Sequence, residues 1–291
     1  MMYEGDAINQ GYPNSSVTRY YNFDVARARL SPDGFEKEMI VINGQFPGPL
    51  IEANWGDWIS VNVTNSVRDP EEGTATHWHA FLQQETPLYD GVQSVQQCPI
   101  APGSSFTYTF RADHVGTSFY RSHYFAQIAG GASAPIVING PQHQDFDYDI
   151  GPPILGLASQ GNISYPFLSA GPGEWDGTIV NPENPLRRDT HILQPGDHLV
   201  TQFQADNPGI WPYHCHIAWH VSSGFYVNIM ERPDDLLHRP KIPQVVDEAC
   251  RDWNEWSRHN IVTQIGSGVK AKAKSRIRMM RQEQVGEQFH W

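Results

Sequence analysis

Residues Trp58–Val67 read WISVNVTNSV, with Ile59, Val61 and Val63 separated by Ser60, Asn62 and Thr64. Successive side chains of an extended chain point to opposite faces, so this alternation predicts a strand with one apolar and one polar face. Runs of similar character lie on both sides of it: TRYYNFDVARARL (18–30), EKEMIVING (36–44), SSFTYTFRAD (104–113) and APIVING (134–140). β-branched and aromatic residues dominate them, and SPDG, QFPGP and IAPGSS supply turns between them. Many short strands punctuated by Pro and Gly predict an all-β sandwich.

Further along, Arg187–Met230 holds a second β segment, clearest in RRDTHIL, HLVTQFQAD and GFYVNIME, with too few strands to close a sandwich alone. GPPILGLASQGNISYPFLSAGPGEWDG between the two segments is rich in Gly, Ser and Pro and reads as loop. DEACRDWNEWSRHN (247–260) predicts a short helix that sets Trp253 and Trp256 against the body. The basic, weakly amphipathic run that follows reads as a solvated tail.

At 291 residues the chain can bury a substantial core without a metal to fold it. Its net charge of −12 excludes a nucleic-acid partner, whose phosphates that surface would repel, and favours neutral or weakly cationic small molecules. No apolar run reaches the roughly 18 residues needed for a transmembrane segment. The opening MMYEGDAINQGYPNSS lacks the pattern of a secretory signal, whereas Asn14, Asn62 and Asn162 each begin an N-x-S/T sequon, which points toward a secreted glycoprotein. Of the cysteines Cys98, Cys215 and Cys250, Cys215 sits among histidines, which leaves Cys98 and Cys250 as the natural disulfide in an oxidising compartment. In a reducing one all three remain thiols.

Chemistry concentrates in WPYHCHIAWHVSSGF (211–225). On an extended Tyr213–Ile217, His214 and His216 share a face and Cys215 looks the other way, so the strand would separate two metal positions. A thiolate with imidazoles in a trigonal array is the ligand set of blue copper; His220 is close enough to join Cys215, and Phe225 would lie in the axial direction as a residue that cannot ligate. THWHAF (76–81) repeats the i, i+2 spacing with His77 and His79. A lone pair of this kind reads equally as two imidazoles bound to backbone. Two pairs, one enclosing a cysteine, favour metal. Zinc accepts the same donors, but its structural sites prefer closely spaced cysteine pairs, which this chain lacks.

THWHAFLQQETPLYDGVQSVQQCPIAPGSSFTYTFRADHVGTSFYRSHYFAQ (76–127) resembles the first cupredoxin domain of fungal laccases and related multicopper oxidases. NPENPLRRDTHILQPGDHLVTQFQADNPGIWPYHCHIAWH (181–220) resembles the closing part of their third domain. The resemblance implies a cupredoxin-like Greek-key sandwich over 17–150, a loop-rich junction over 151–186, a truncated second cupredoxin-like domain over 187–245, and a helix with a basic tail over 246–291. It implies one-electron oxidation of small phenolic substrates at a type 1 copper, dioxygen reduction at a three-copper cluster, and secretion. By position, Cys215 and His220 resemble type 1 ligands and Phe225 the axial residue. His77 resembles a type 2 ligand, and His79, His123, His214 and His216 resemble ligands of the type 3 pair. Asp90, in YDGV, is similar to an acid that moves protons near the cluster, although an Asp before Gly91 is also an ordinary turn. The resemblance also implies a Cys98–Cys250 disulfide.

The chain departs from the family in three ways. Arg121-Ser122-His123 stands where the family has HSH, so a guanidinium without a lone pair replaces an imidazole. The HPxHxHGH motif and the middle domain are absent, with the junction expected around Gly151–Ile154. The opening residues do not read as the leader that the family resemblance leads one to expect. Type 1 copper thus keeps Cys215 and His220, type 2 keeps His77, and the type 3 pair keeps four histidines. His143, His191 and His198 read as surface residues rather than replacements. The expectation is a laccase-like oxidase impaired by missing ligands; a homo-oligomer could share sites between copies but would not restore the lost motif. The alternatives are a non-catalytic cupredoxin-like remnant serving as an interaction module and a metal-storage protein without blue absorbance.

Overall fold

The alternation around Trp58 becomes an eight-stranded sandwich. The computed structural model describes residues 12–141 apart from 33, and 165–259 apart from 181, 183–185, 189–190, 204, 218–219, 222–223 and 239–241. Its first part contains β1 (Thr18–Leu30), β2 (Lys37–Ile42), β3 (Ile51–Asn54), β4 (Trp58–Asn65), β5 (Thr76–Trp78), β6 (Ser105–Arg111), β7 (Gly116–Ser122) and β8 (Ser133–Asn139). One sheet runs β2-β1-β4-β6 and the other β3-β8-β7-β5. The β1/β4 and β3/β8 pairs are parallel and the rest antiparallel. Crossing between sheets in this order gives the all-β cupredoxin architecture.

Ile59, Val61 and Val63 of β4 are fully buried, while Ser60, Asn62 and Thr64 face outward. They meet the inner face of the opposite sheet in one core, where Trp78 lies 4.9 Å from Phe110 and Phe23 stacks on Tyr120 at 4.9 Å. Burying side chains of this size contributes about 1.5–3 kcal/mol each.

The second part holds β9 (Tyr165–Pro172), β10 (Leu186–Arg188), β11 (Asp197–Thr201), β12 (Gly209–His214) and β13 (Tyr226–Glu231), in a sheet ordered β10-β9-β11 and a β12-β13 hairpin. Strand β9 falls where Pro and Gly predict a loop. Pro166 and Gly171 weaken its local signal, but antiparallel partners on both sides supply the pairing that propensity does not. In RRDTHIL, conversely, Arg187 and Arg188 are strand, whereas His191–Gln194 are irregular. No described apolar side chain between 165 and 237 is fully buried, and Phe225, Val227 and Met230 are exposed. The stretch 151–164 at the junction, His143, Asn162 and the basic tail lie outside the described residues. Of the other sequon asparagines, Asn14 is exposed and Asn62 accepts a hydrogen bond from Thr107 Oγ1.

Two helices close the described chain: α1 (Pro233–Leu237) and α2 (Gln244–His259). Helix α2 returns to the first sandwich, where Val246, Ala249 and Trp253 are buried along one stripe. Trp253 packs edge-on to Tyr124 and against Trp256, and the Cys98–Cys250 disulfide pins the helix beside them.

Candidate metal centre

Register between β5 and β7 sets one half of the site. His77 pairs with Arg121 across the sheet, while Trp78 and Tyr120 point into the core. Pairing continues past both strand ends, through His79 N–H to the Phe119 carbonyl and His123 N–H to the Ala75 carbonyl. Period-two alternation therefore puts His77, His79, Phe119, Arg121 and His123 on the face away from the core. His79 stacks on Phe119 at 4.1 Å.

The second half brings the other histidines. Strand β12 ends at His214, short of the extended run to Ile217 that the spacing predicts. A loop closed by Cys215 N–H to the Phe225 carbonyl and Phe225 N–H to the His220 carbonyl follows it. His214 and His216 nevertheless remain stacked, with centroids 6.0 Å apart, and Cys215 turns toward His220. Two contacts seat this hairpin on the sandwich: Gln96 Nε2 donates to the Ile210 carbonyl and Asn207 Nδ2 to the Leu82 carbonyl.

Five histidines from three chain segments thus converge. His77 lies 4.7 Å from His79 and 5.5 Å from His123 by ring centroids, and His123 lies 5.2 Å from His214. Their hydrogen bonds fix which nitrogen carries the proton. Nδ1–H of His77 donates to the Asp90 carbonyl, that of His214 to the Cys215 carbonyl, and that of His123 to the Gln93 side-chain oxygen. Each ring is left with a lone pair on Nε2 when neutral. Burial, first among the causes, holds His79 and His123 well below the ordinary imidazole range and lowers His214 to about 4 and His216 to about 3.

His123 Nε2 and His214 Nε2 face one another at 3.4 Å. With both protons on Nδ1, no hydrogen joins them. Two imidazoles on one metal at about 2.0 Å each would stand roughly this far apart at trigonal or tetrahedral angles. These two imidazoles suit a borderline metal ion such as copper or zinc, as part of a site rather than a whole one.

The other pair differs. His216 Nε2 lies 3.1 Å from His79 Nε2, but Arg121 Nε also donates to His79 Nε2 at 3.2 Å. A permanent cation therefore holds the lone pair that a metal would need. Among the described residues no group of three or more His, Cys, Asp or Glu side chains is arranged to hold a metal ion. Each pair has two imidazoles and lacks a third donor.

Cys215 Sγ lies 3.3 Å from His220 Nδ1, with Cys215 half-buried and His220 exposed. Phe225 is 68% exposed, with its ring 6.2 Å from that of His220. Asp90 is buried; its carboxylate lies 3.3 Å from His77 Nδ1 and accepts from Gln96 at 3.4 Å. Gly91, at φ +87°, permits the turn after it, because a Cβ there would strike the Thr76 carbonyl. His198 is bonded to Ser169 and the Gly173 carbonyl, and His191 is half-buried. Sequence reading missed Gln93, Gln96, Phe119 and Asn207. Their roles come from tertiary contact, and no spacing signals them.

Models of multicopper oxidase domains match residues 24–143 and 164–235. The chain belongs to the multicopper oxidase family. This multicopper oxidase chain is 39% identical over 212 residues to oxidoreductase OpS5 of Beauveria bassiana, covering 68% of itself and 35% of that protein. It is 45% identical over 139 residues to laccase-2 of Botryotinia fuckeliana, covering 48% of itself and 24% of the relative. Among solved structures it is similar to the laccase from Botrytis aclada, with 40% identity, a TM-score of 0.47, and coverage of 50% of this chain and 26% of that one. It spans about a third or less of the length of these relatives.

Proposed function

We propose that this multicopper oxidase chain is laccase-like, coupling one-electron oxidation of small phenolic donors to dioxygen reduction, with activity reduced by its incomplete ligand set. The reading rests on the convergence of His77, His79, His123, His214 and His216 from both halves of the chain. Copper, when bound, supplies the one-electron redox change that none of these side chains provides. In this reading Cys215 and His220 hold the type 1 metal, His77 the type 2 metal, and the remaining four histidines the type 3 pair. The chain itself links the sites, since Cys215 is bonded through the backbone to both His214 and His216. Asp90 holds His77 in place from its Nδ1 side and keeps a carboxylate within reach for proton transfer. Secretion, and glycosylation at exposed Asn14, belong to the same reading.

The hydrogen bond from Arg121 to His79 favours a second reading, a non-catalytic remnant that binds copper weakly. Reconstitution with Cu(II), followed by metal analysis, absorbance at about 600 nm and oxygen uptake with a methoxyphenol, separates the two. A blue band with oxygen consumption supports the oxidase. Bound copper with neither supports the remnant.

A further inference from the structure

Arg121 is 5% exposed, yet its guanidinium makes only two hydrogen bonds to described residues, Nε to His79 and Nη1 to the Ser122 carbonyl. Three of its five N–H bonds are left without a partner among them. No carboxylate among the described residues forms an ion pair with it. Asp90 acts on it only at a distance and is hydrogen-bonded to Gln96. An arginine guanidinium stays protonated at neutral pH. A buried cation with no counter-charge is costly, and the neutral imidazoles around it cannot supply one.

Arg121 lines a cavity of about 220 Å³. His123, His214 and His216 share its polar wall, and Val95, Phe125, Ile128 and Val221 contribute apolar surface. A guanidinium fork matches a planar carboxylate, and a single cation balances a single negative charge. The apolar walls would reward a ligand with an apolar body, and the volume has room for about one ring. We infer that Arg121 anchors a binding site for a small aromatic monocarboxylate of benzoate size, and that binding needs no metal. The ligand carboxylate pairs with the guanidinium and its ring fills the apolar side of the cavity.

The test uses the full chain treated with EDTA and titrated calorimetrically with sodium benzoate, benzamide and sodium formate. Benzoate is expected to bind one per chain, at least about tenfold more tightly than either benzamide, which lacks the charge, or formate, which lacks the ring. Arg121→Gln should abolish the preference for benzoate over benzamide. Val221→Trp, which fills the cavity and leaves the guanidinium in place, should weaken benzoate at least about tenfold. Equal binding of benzoate and benzamide overturns the role of Arg121, and equal binding of benzoate and formate overturns the role of the apolar walls. If Arg121→Gln does not fold, unchanged benzoate affinity in folded Val221→Trp still overturns the assignment.

Discussion

His79 Nε2 receives Arg121 Nε and lies 3.1 Å from His216 Nε2, so a metal reaching that pair must displace a fixed cation. Arg121→His removes the charge and adds a donor to the same face. It is expected to tighten copper binding by about tenfold or more, read as copper retained per chain on dialysis against a competing chelator. Unchanged retention would mean that Arg121 is not the obstacle. Titration of the neighbouring imidazoles makes a separate prediction for the metal-free chain. His214 and His216 hold protons only below about 4 and 3 when folded, whereas unfolded imidazoles protonate at about 6.5. Between those values the unfolded chain binds more protons, so stability is full above about 6.5 and falls as pH drops toward 4. Urea midpoints measured across that range should decline, and His214→Gln should flatten the slope. At this scale the sequence was informative about which histidines share a face and silent about their partners. Two HxH spacings point at shared faces because strand periodicity is local. Gln93 meets His123 across 30 positions, and nothing in its own neighbourhood signals that contact.

Helix α2 is the element that ties the end of the described chain to the first sandwich. Gly73 lies beneath it so closely that a Cβ would come 2.7 Å from the Trp253 ring and 2.8 Å from Tyr124. Gly73→Ala should therefore cost about 1–3 kcal/mol through overpacking, measured by urea unfolding. Reduction of Cys98–Cys250, which joins residues 152 positions apart, should cost roughly 3–5 kcal/mol in the same assay with dithiothreitol. The helix and its tryptophan face were legible because amphipathic spacing and cysteine placement agree there. Strand β9 was not, since Pro166 and Gly171 carry loop signals and only its neighbours β10 and β11 make it a strand.

Across the whole molecule, stability is unevenly distributed. The core runs through both sheets of the first sandwich and takes in α2, whereas the described side chains of 165–237 bury no apolar residue completely. Amides of β4, β6 and β7 should accordingly exchange with deuterium far more slowly than those of β9–β13, by at least about a hundredfold. Comparable protection in both halves would show a cooperative unit that the packing does not suggest. The all-β class was readable because alternation and turns repeat over the sandwich. How the hairpin docks was not, because that depends on single contacts such as Asn207 to Leu82. The return of α2 also fixes how the histidine hairpin behaves when it comes loose. In chain order the β12-β13 hairpin lies between β8 and α2, both of which belong to the sandwich, so the hairpin is tethered on both sides. Opening the histidine cluster is then an intramolecular event: the detached hairpin stays at a high effective concentration and re-docks at a rate independent of dilution.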